Sequence, residues 1–440
     1  MAPQFVRATV RDMAGYAPGE QPGPGERVVK LNTNENPFAP SPRVMRAIRE
    51  IDEETLRRYP NPTADDFRAA AAKLLGVTPD MVLAGNGSDD LLTIATRTFV
   101  PPGGTLAYPD PTYSLYPVLA KLEDAKVATV PWGPEYALPI EALLATKAHA
   151  IYLANPNAPT GTFVSPTKVE ELATVFPGAV LVDEAYADFA DDNCMALVRK
   201  HKNVIVTRTM SKAYSLAGLR FGYAVAQPDV IDEMMKVKDS YNTDAISIVA
   251  ATAAIEDQAY ARNNWDYVRK ERQRVSAELT QLGWTVLDSH ANFVLATAPD
   301  GRGKEAYVGL KKLGILVRHF DKPGLADKIR ITIGLMQQNN ALLEGVRALA
   351  CAKAEKADKV AEAKADAKPD AKPDAKPEAK PEGKAEATKA DAKHDPKPAE
   401  PKADMKEKAE AKEKPEAKEK DAKPAKAEKP EKAEAVANAK

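Results

Sequence analysis

The chain has 440 residues, 44 % of them hydrophobic, and a formal net charge of −1 at pH 7. That apolar content suffices for an enzyme-sized core, and the balanced charge makes neither a nucleic acid nor a membrane surface an expected partner. No run of about 18 apolar residues offers a transmembrane helix, and Cys194 and Cys351 form neither a disulfide framework nor a metal pattern. The expectation is a soluble, cytoplasmic protein with idle thiols.

Residues 1–30 read as an N-terminal arm, because Arg7, Arg11 and Asp12 are not followed by the long apolar core of a secretory signal. Between about 25 and 350, short β-branched runs alternate with stretches of helical period, which is the α/β pattern. Helices are predicted over Ala64–Leu75, Asp89–Phe99 and Pro166–Val175. Strands are predicted at Met81–Ala84, Ile151–Ala154, Val180–Val182, Val204–Thr207 and Phe221–Val225. These are brief apolar runs without alternation, as expected of buried, mostly parallel strands. After about Asp229 the pattern turns helical and then mixed. This predicts a large domain over 31–240, to whose smaller neighbour the N-terminal segment contributes, and a connecting helix with a small α+β domain over 241–351.

From Ala352 to Lys440 there is no Leu, Ile, Phe, Tyr or Trp, and Ala-Lys-Pro-Asp/Glu recurs four times from Ala367 to Glu382. Such a segment cannot bury enough apolar surface to offset its ordering entropy, and proline at every fourth position interrupts a helix. It is read as a disordered, solvated tail over 352–440. A helix-rich spacer after the last proline cluster and a docking segment for another protein are the alternatives. Acidic and basic residues alternate through it, unlike a basic arm.

The chemistry centres on Ser211-Lys212, directly after the predicted strand Val204–Thr207. A lone lysine is usually a solvated surface residue. Here a hydroxyl precedes it, Arg220 follows eight residues on, and Asp183 ends an earlier strand. These groups together suit a phosphate and a pyridine ring.

The ordered motifs Leu31-Asn-Thr-Asn-Glu-Asn-Pro37, Arg58-Tyr-Pro60, Gly85-Asn-Gly-Ser-Asp89, Pro111-Thr-Tyr113, Asp183-Glu-Ala-Tyr186, Thr207-Arg-Thr-Met-Ser-Lys-Ala213, Val317-Arg-His-Phe320 and Ile329-Arg-Ile-Thr-Ile-Gly334 extend this picture. With them the chain resembles the fold-type I pyridoxal 5'-phosphate (PLP) aminotransferases, and within these the histidinol-phosphate aminotransferases, over roughly residues 10 to 347. The resemblance implies a large, mostly parallel sheet domain with a smaller α+β domain, and PLP held as a Schiff base on Lys212. It places Asp183 on the pyridine nitrogen, Tyr113 on the ring face and Tyr186 on the ring oxygen. Ser88 and Asp89 backbone N–H groups, Ser211 and Arg220 then take the phosphate, and Tyr59 reaches the phosphate of a neighbouring subunit in a homodimer.

The family usually has asparagine directly before Pro-Thr-Gly. Asn155-Pro-Asn-Ala-Pro-Thr-Gly161 has Ala158 there, which leaves Asn157, one residue early, as the partner assigned to the ring oxygen. Arg330 takes the position of the substrate-carboxylate ligand, with Arg318 as a second anion clamp. Asn34, Glu35 and Tyr16 resemble a segment folded over the substrate, Glu35 either accepting from an imidazole or serving as a cap or interface residue.

The leading expectation is reversible amino transfer between histidinol phosphate and 2-oxoglutarate in histidine biosynthesis. An aminotransferase for aromatic or other amino acids, or a threonine-phosphate decarboxylase, would keep the same cofactor residues. A non-catalytic interaction protein is opposed by the intact Lys212, Asp183, Arg220 and Arg330.

Overall fold

The computed structural model describes residues 3–16 and 18–366, with 352–366 as helix backbone alone. Strand β1 (Val29–Lys30) follows the N-terminal arm. Seven strands then form one sheet: β2 (Val82–Gly85), β3 (Thr105–Asp110), β4 (Lys126–Pro131), β5 (Ala150–Ala154), β6 (Ala179–Asp183), β7 (Val204–Thr209) and β8 (Gly222–Val225). Their order is β2-β8-β7-β6-β5-β3-β4, parallel except for β8, which runs antiparallel to both neighbours. Side chains alternate between two buried clusters: Ile151, Leu153, Val180, Val182, Val204 and Val206 lie on one face. Tyr152, Leu181, Ile205 and Ala224 lie on the other. Burial on both faces is why these strands carry no polar alternation.

The predicted strands agree with β2, β5, β6, β7 and β8 to within two residues at each end, and the predicted helices with Asp65–Leu75, Ser88–Phe99 and Pro166–Val175. β3 and β4 went unread. Pro109 interrupts the apolar run of β3, and β4 is an edge strand with exposed Lys126, Thr129 and Pro131.

Beyond the helices Ala245–Glu256 and Gln258–Gln281 comes a second, antiparallel sheet. It is formed by β9 (Thr285–Val286), β10 (Phe293–Thr297), β12 (Arg318–His319) and β13 (Lys328–Thr332), in the order β12-β13-β10-β9. The intervening β11 (Ile315–Leu316) pairs in parallel with β1, so the N-terminal segment is fastened to this smaller half. The boundary expected near residue 240 separates two sheets but not two cores, since Trp265, Val294, Ile329 and Ile331 share a cluster with Val180 and Val206.

The last helix, Met336–Asp366, runs past Cys351 and through the point where the tail was expected to begin. Residues 352–366 are rich in Ala, Lys and Glu and lack proline, a composition of high helix propensity. The tail reading for 367–440 lies outside the described residues. Cys194 is buried and Cys351 exposed.

Candidate active site

A single pocket gathers the carboxyl ends of β3, β5, β6 and β7, where a parallel sheet presents its loops. Lys212 stands in the turn after β7. Asn36 Nδ2 holds that turn, donating to the Lys212 and Ala213 carbonyls (3.0 and 3.2 Å), as does Trp265 Nε1, which donates to the Ala213 carbonyl (2.9 Å). The lysine amine donates to the Thr33 carbonyl at 3.0 Å. Burial, then the charge of Arg330, bring it down to about 8, so an appreciable share is the neutral nucleophile near neutrality.

Asp183 ends β6 and is buried. Tyr116 Oη donates to its Oδ2 (3.2 Å) and Thr207 Oγ1 to its Oδ1 (3.3 Å). Burial, with Asp89 adding, raises its carboxyl to about 7 despite these bonds, so the site favours a cation placed against it.

A phosphate-sized corner lies where β2 gives way to the helix Ser88–Phe99. Gly87 has φ +84°, and no side chain caps the helix N-terminus, leaving its N–H groups to an anion. A Cβ on Gly222 would come within 2.7 Å of the Ser88 nitrogen, so only glycine lets β8 pass behind this loop. Ser211, Thr209 and Arg220 complete the corner: Thr209 Oγ1 donates to Ser211 Oγ (3.0 Å), as does Arg220 Nη1 (3.3 Å). The Asp89 carboxylate has a part the sequence reading did not give it, accepting from the Tyr113 hydroxyl (3.0 Å) and facing Arg220 (3.5 Å).

The opposite wall belongs to the small sheet and the N-terminal segment. Arg330 lies over the rings of Phe293 (5.1 Å) and Phe320 (5.5 Å) and donates to the Asn32 carbonyl (3.1 Å). Its buried Nε has no partner, and among the described residues no carboxylate pairs with it. A cation held by rings and a carbonyl, with its buried Nε donor unpartnered, is suited to an incoming carboxylate or phosphate. Arg318 lies over Phe320 (5.5 Å) and donates to the Pro18 carbonyl (3.2 Å). Tyr16 meets Tyr113 edge to face at 5.9 Å.

Thus Lys212, Asp183, Tyr186, Ser88, Asp89, Tyr113, Ser211, Arg220, Arg330, Arg318, Asn34 and Tyr16 converge on one pocket, and three expected residues do not line it. Asn157 lies outside the lining: its amide donates to the Pro111 carbonyl (3.0 Å) and Thr160 Oγ1 (2.8 Å) and accepts from Thr112 Oγ1 (2.7 Å). Both its hydrogens are taken, and Ala158 lines the pocket instead. Glu35 pairs with Lys30, which favours its structural alternative. Tyr59 is 81 % exposed and stacked on Tyr241 at 4.5 Å, outside the pocket. Tyr116, Thr207, Thr209 and Phe293 escaped the sequence reading. For Tyr116 the spacing from Tyr113 along the start of a helix is the only signal, and it is equally that of a core residue.

The aminotransferase class I and II family matches residues 26–346. The chain belongs to this family. Among its relatives, histidinol-phosphate aminotransferase 1 of Trichormus variabilis is 45 % identical over 345 residues, covering 78 % of this chain and 99 % of that protein. The histidinol-phosphate aminotransferase of Rhodopirellula baltica is 45 % identical over 339 residues, covering 77 % and 93 %. Among solved structures, histidinol-phosphate aminotransferase from Sinorhizobium meliloti, in complex with pyridoxal-5'-phosphate, aligns with a TM-score of 0.72 at 27 % identity, covering 79 % and 99 %. The same aminotransferase fold extends to aspartate aminotransferase of Thermus thermophilus (TM-score 0.62, 21 % identity, 73 % and 91 %).

Proposed function

We propose that this chain is a PLP-dependent histidinol-phosphate transaminase, moving an amino group between L-histidinol phosphate and 2-oxoglutarate in histidine biosynthesis. The observation that carries this reading is a half-buried lysine facing two separate anion sites, the glycine-walled corner at Ser88 and the arginine wall at Arg330. The residues fit the cofactor. A bare backbone cradle with a hydroxyl pair and Arg220 suits its phosphate, and a buried carboxyl at about 7 suits a pyridinium nitrogen. When bound, PLP supplies a carbonyl for exchange with amines and an electron sink for the substrate's carbon.

Every other part of the chemistry belongs to side chains of this chain. With PLP in the site, Lys212 would hold its carbonyl carbon and would be the amine placed to carry a proton to and from the substrate carbon. Asp183, fixed by Tyr116 and Thr207, keeps the ring nitrogen protonated. Tyr113, anchored through its hydroxyl to Asp89, covers one face of the ring. Burial raises the Tyr186 phenol, which therefore stays protonated as a donor to the ring oxygen. Arg330 and Arg318 take the carboxylate of glutamate or the phosphate of histidinol phosphate in turn. A homodimer accounts for the exposed Tyr59, Leu56 and Tyr241 and lets Tyr59 serve the partner's phosphate corner.

A steady-state panel tests the substrate. Histidinol phosphate with 2-oxoglutarate is expected to give the highest kcat/KM, at least ten-fold above phenylalanine, tyrosine or threonine phosphate, a margin of about 1.4 kcal/mol. A higher value for an aromatic amino acid would move the chain to the aromatic aminotransferases. Carbon dioxide release from threonine phosphate would move it to the decarboxylases.

A further inference from the structure

Asn34 lines the pocket, yet all its polar groups are committed to protein. It is 1 % exposed and adopts φ +56°, a left-handed conformation that few residues other than glycine take up. Its backbone N–H donates to Thr332 Oγ1 at 2.9 Å, and its carbonyl accepts from Asn292 Nδ2 at 3.0 Å. The Thr332 hydroxyl donates to Asn34 Oδ1 at 3.1 Å. The amide's other end, Nδ2, donates to the Tyr186 phenol oxygen at 3.0 Å. These bonds fix which way the amide faces: turning it over would bring the amide nitrogen to the Thr332 hydroxyl and leave that hydroxyl's hydrogen without an acceptor.

The consequence falls on Tyr186. A phenol has one hydrogen, and an oxygen that already accepts from Asn34 keeps that hydrogen for another acceptor. Tyr186 is set edge-on to Phe293, with ring centroids 5.1 Å apart, and it borders the pocket. We propose that Asn34 is a positioning residue, held by Thr332, whose amide aims the Tyr186 hydroxyl hydrogen into the pocket as a donor to the cofactor's ring oxygen. The bond Asn34 donates also polarises the phenol and strengthens it as a donor. Thr332 lies two residues after Arg330 on β13, on the same face of the strand. The strand that carries the substrate's arginine therefore also sets the tyrosine. The charged groups facing Tyr186 are Arg330 and Asp183, with the Tyr16 phenol beside them. This inference rests on the reading that PLP is bound at Lys212.

The test follows the visible band of the lysine-bound cofactor as a function of pH in the full-length holoenzyme. A donor on the ring oxygen stabilises the unprotonated form of the bound cofactor, so losing it raises the pH midpoint of the band. Thr332→Val, which keeps the shape and frees the amide, and Asn34→Gly, which tolerates the left-handed backbone, are each expected to raise the midpoint by about half to one unit, a three- to ten-fold change. Thr332→Ser is expected to restore the wild-type midpoint. In a Tyr186→Phe background neither Thr332→Val nor Asn34→Gly should shift it further, because the group they act through is gone. Wild-type midpoints in both single variants would overturn the proposal, as would an equal shift that persists with Tyr186→Phe. A wild-type protein that shows no visible band would overturn the cofactor reading itself, and this inference with it.

Discussion

At the carboxyl edge of the large sheet, Asp183, Thr209, Ser211 and Lys212 come from the ends of two adjacent strands and the turn beyond them. The wall opposite is assembled differently: the Asn32 carbonyl and the Arg330 guanidinium that meet there are 298 residues apart in the chain. The first region is local, set by strand ends and a helix N-terminus, and in the proposed function it carries the covalent and proton chemistry. The second exists only once β13 and the N-terminal segment have come together, and in the proposed function it carries anion recognition. Side-chain changes in the first should therefore stop turnover, and changes in the second should weaken the substrate while leaving the cofactor bound.

Lys212→Ala offers the largest break. Turnover is expected to fall by about 10⁴-fold or more with loss of the lysine-linked visible band, whereas the far-ultraviolet dichroism stays that of the wild type. Substantial residual turnover would remove the lysine from the mechanism. Arg330→Ala probes the other wall: kcat/KM for histidinol phosphate should drop about 100-fold, the loss of one charge-assisted bidentate contact. The cofactor should stay bound, with the pH midpoint of its band moving upward because Arg330 no longer lowers Lys212, and a variant that loses PLP would show that the two walls are not separable.

A smaller effect is expected at Gly222. The Cβ of Gly222→Ala would crowd the Ser88 nitrogen, and the cofactor's dissociation constant should rise by about ten-fold, in the range of modest overpacking. An unchanged constant, measured by titrating cofactor-free protein, would mean that the corner can give way.

A last effect is one of pH. In cofactor-free protein the Asp183 carboxyl titrates at about 7, against about 3.9 in an unfolded chain. The folded state holds the extra proton in between, so stability falls as pH rises from about 4 through about 7. Asp183→Asn should flatten that decline in melting temperatures taken between pH 5 and 8. The same slope in the variant would place the raised carboxyl elsewhere.

The local region was largely legible in the sequence for the same physical reason that it is local. Gly85-Asn-Gly-Ser-Asp89 and Thr207-Arg-Thr-Met-Ser-Lys212 are contiguous, and strand-end residues face the same site. Arg318 and Arg330 were legible through resemblance, but the rings that hold Arg330 and the Asn34 to Thr332 bonds depend on tertiary closure and leave no short-range pattern. For Asn157, position alone does not reveal that Thr112, Pro111 and Thr160 engage its amide.

The most direct measurement is a single half-reaction, with purified holoenzyme mixed rapidly with histidinol phosphate in the absence of any oxo acid while the visible band is followed. Rapid, saturable loss of that band to the amine form of the cofactor, with glutamate as the other good donor, is the predicted result. A band that histidinol phosphate leaves untouched while another amine converts it would contradict the assignment.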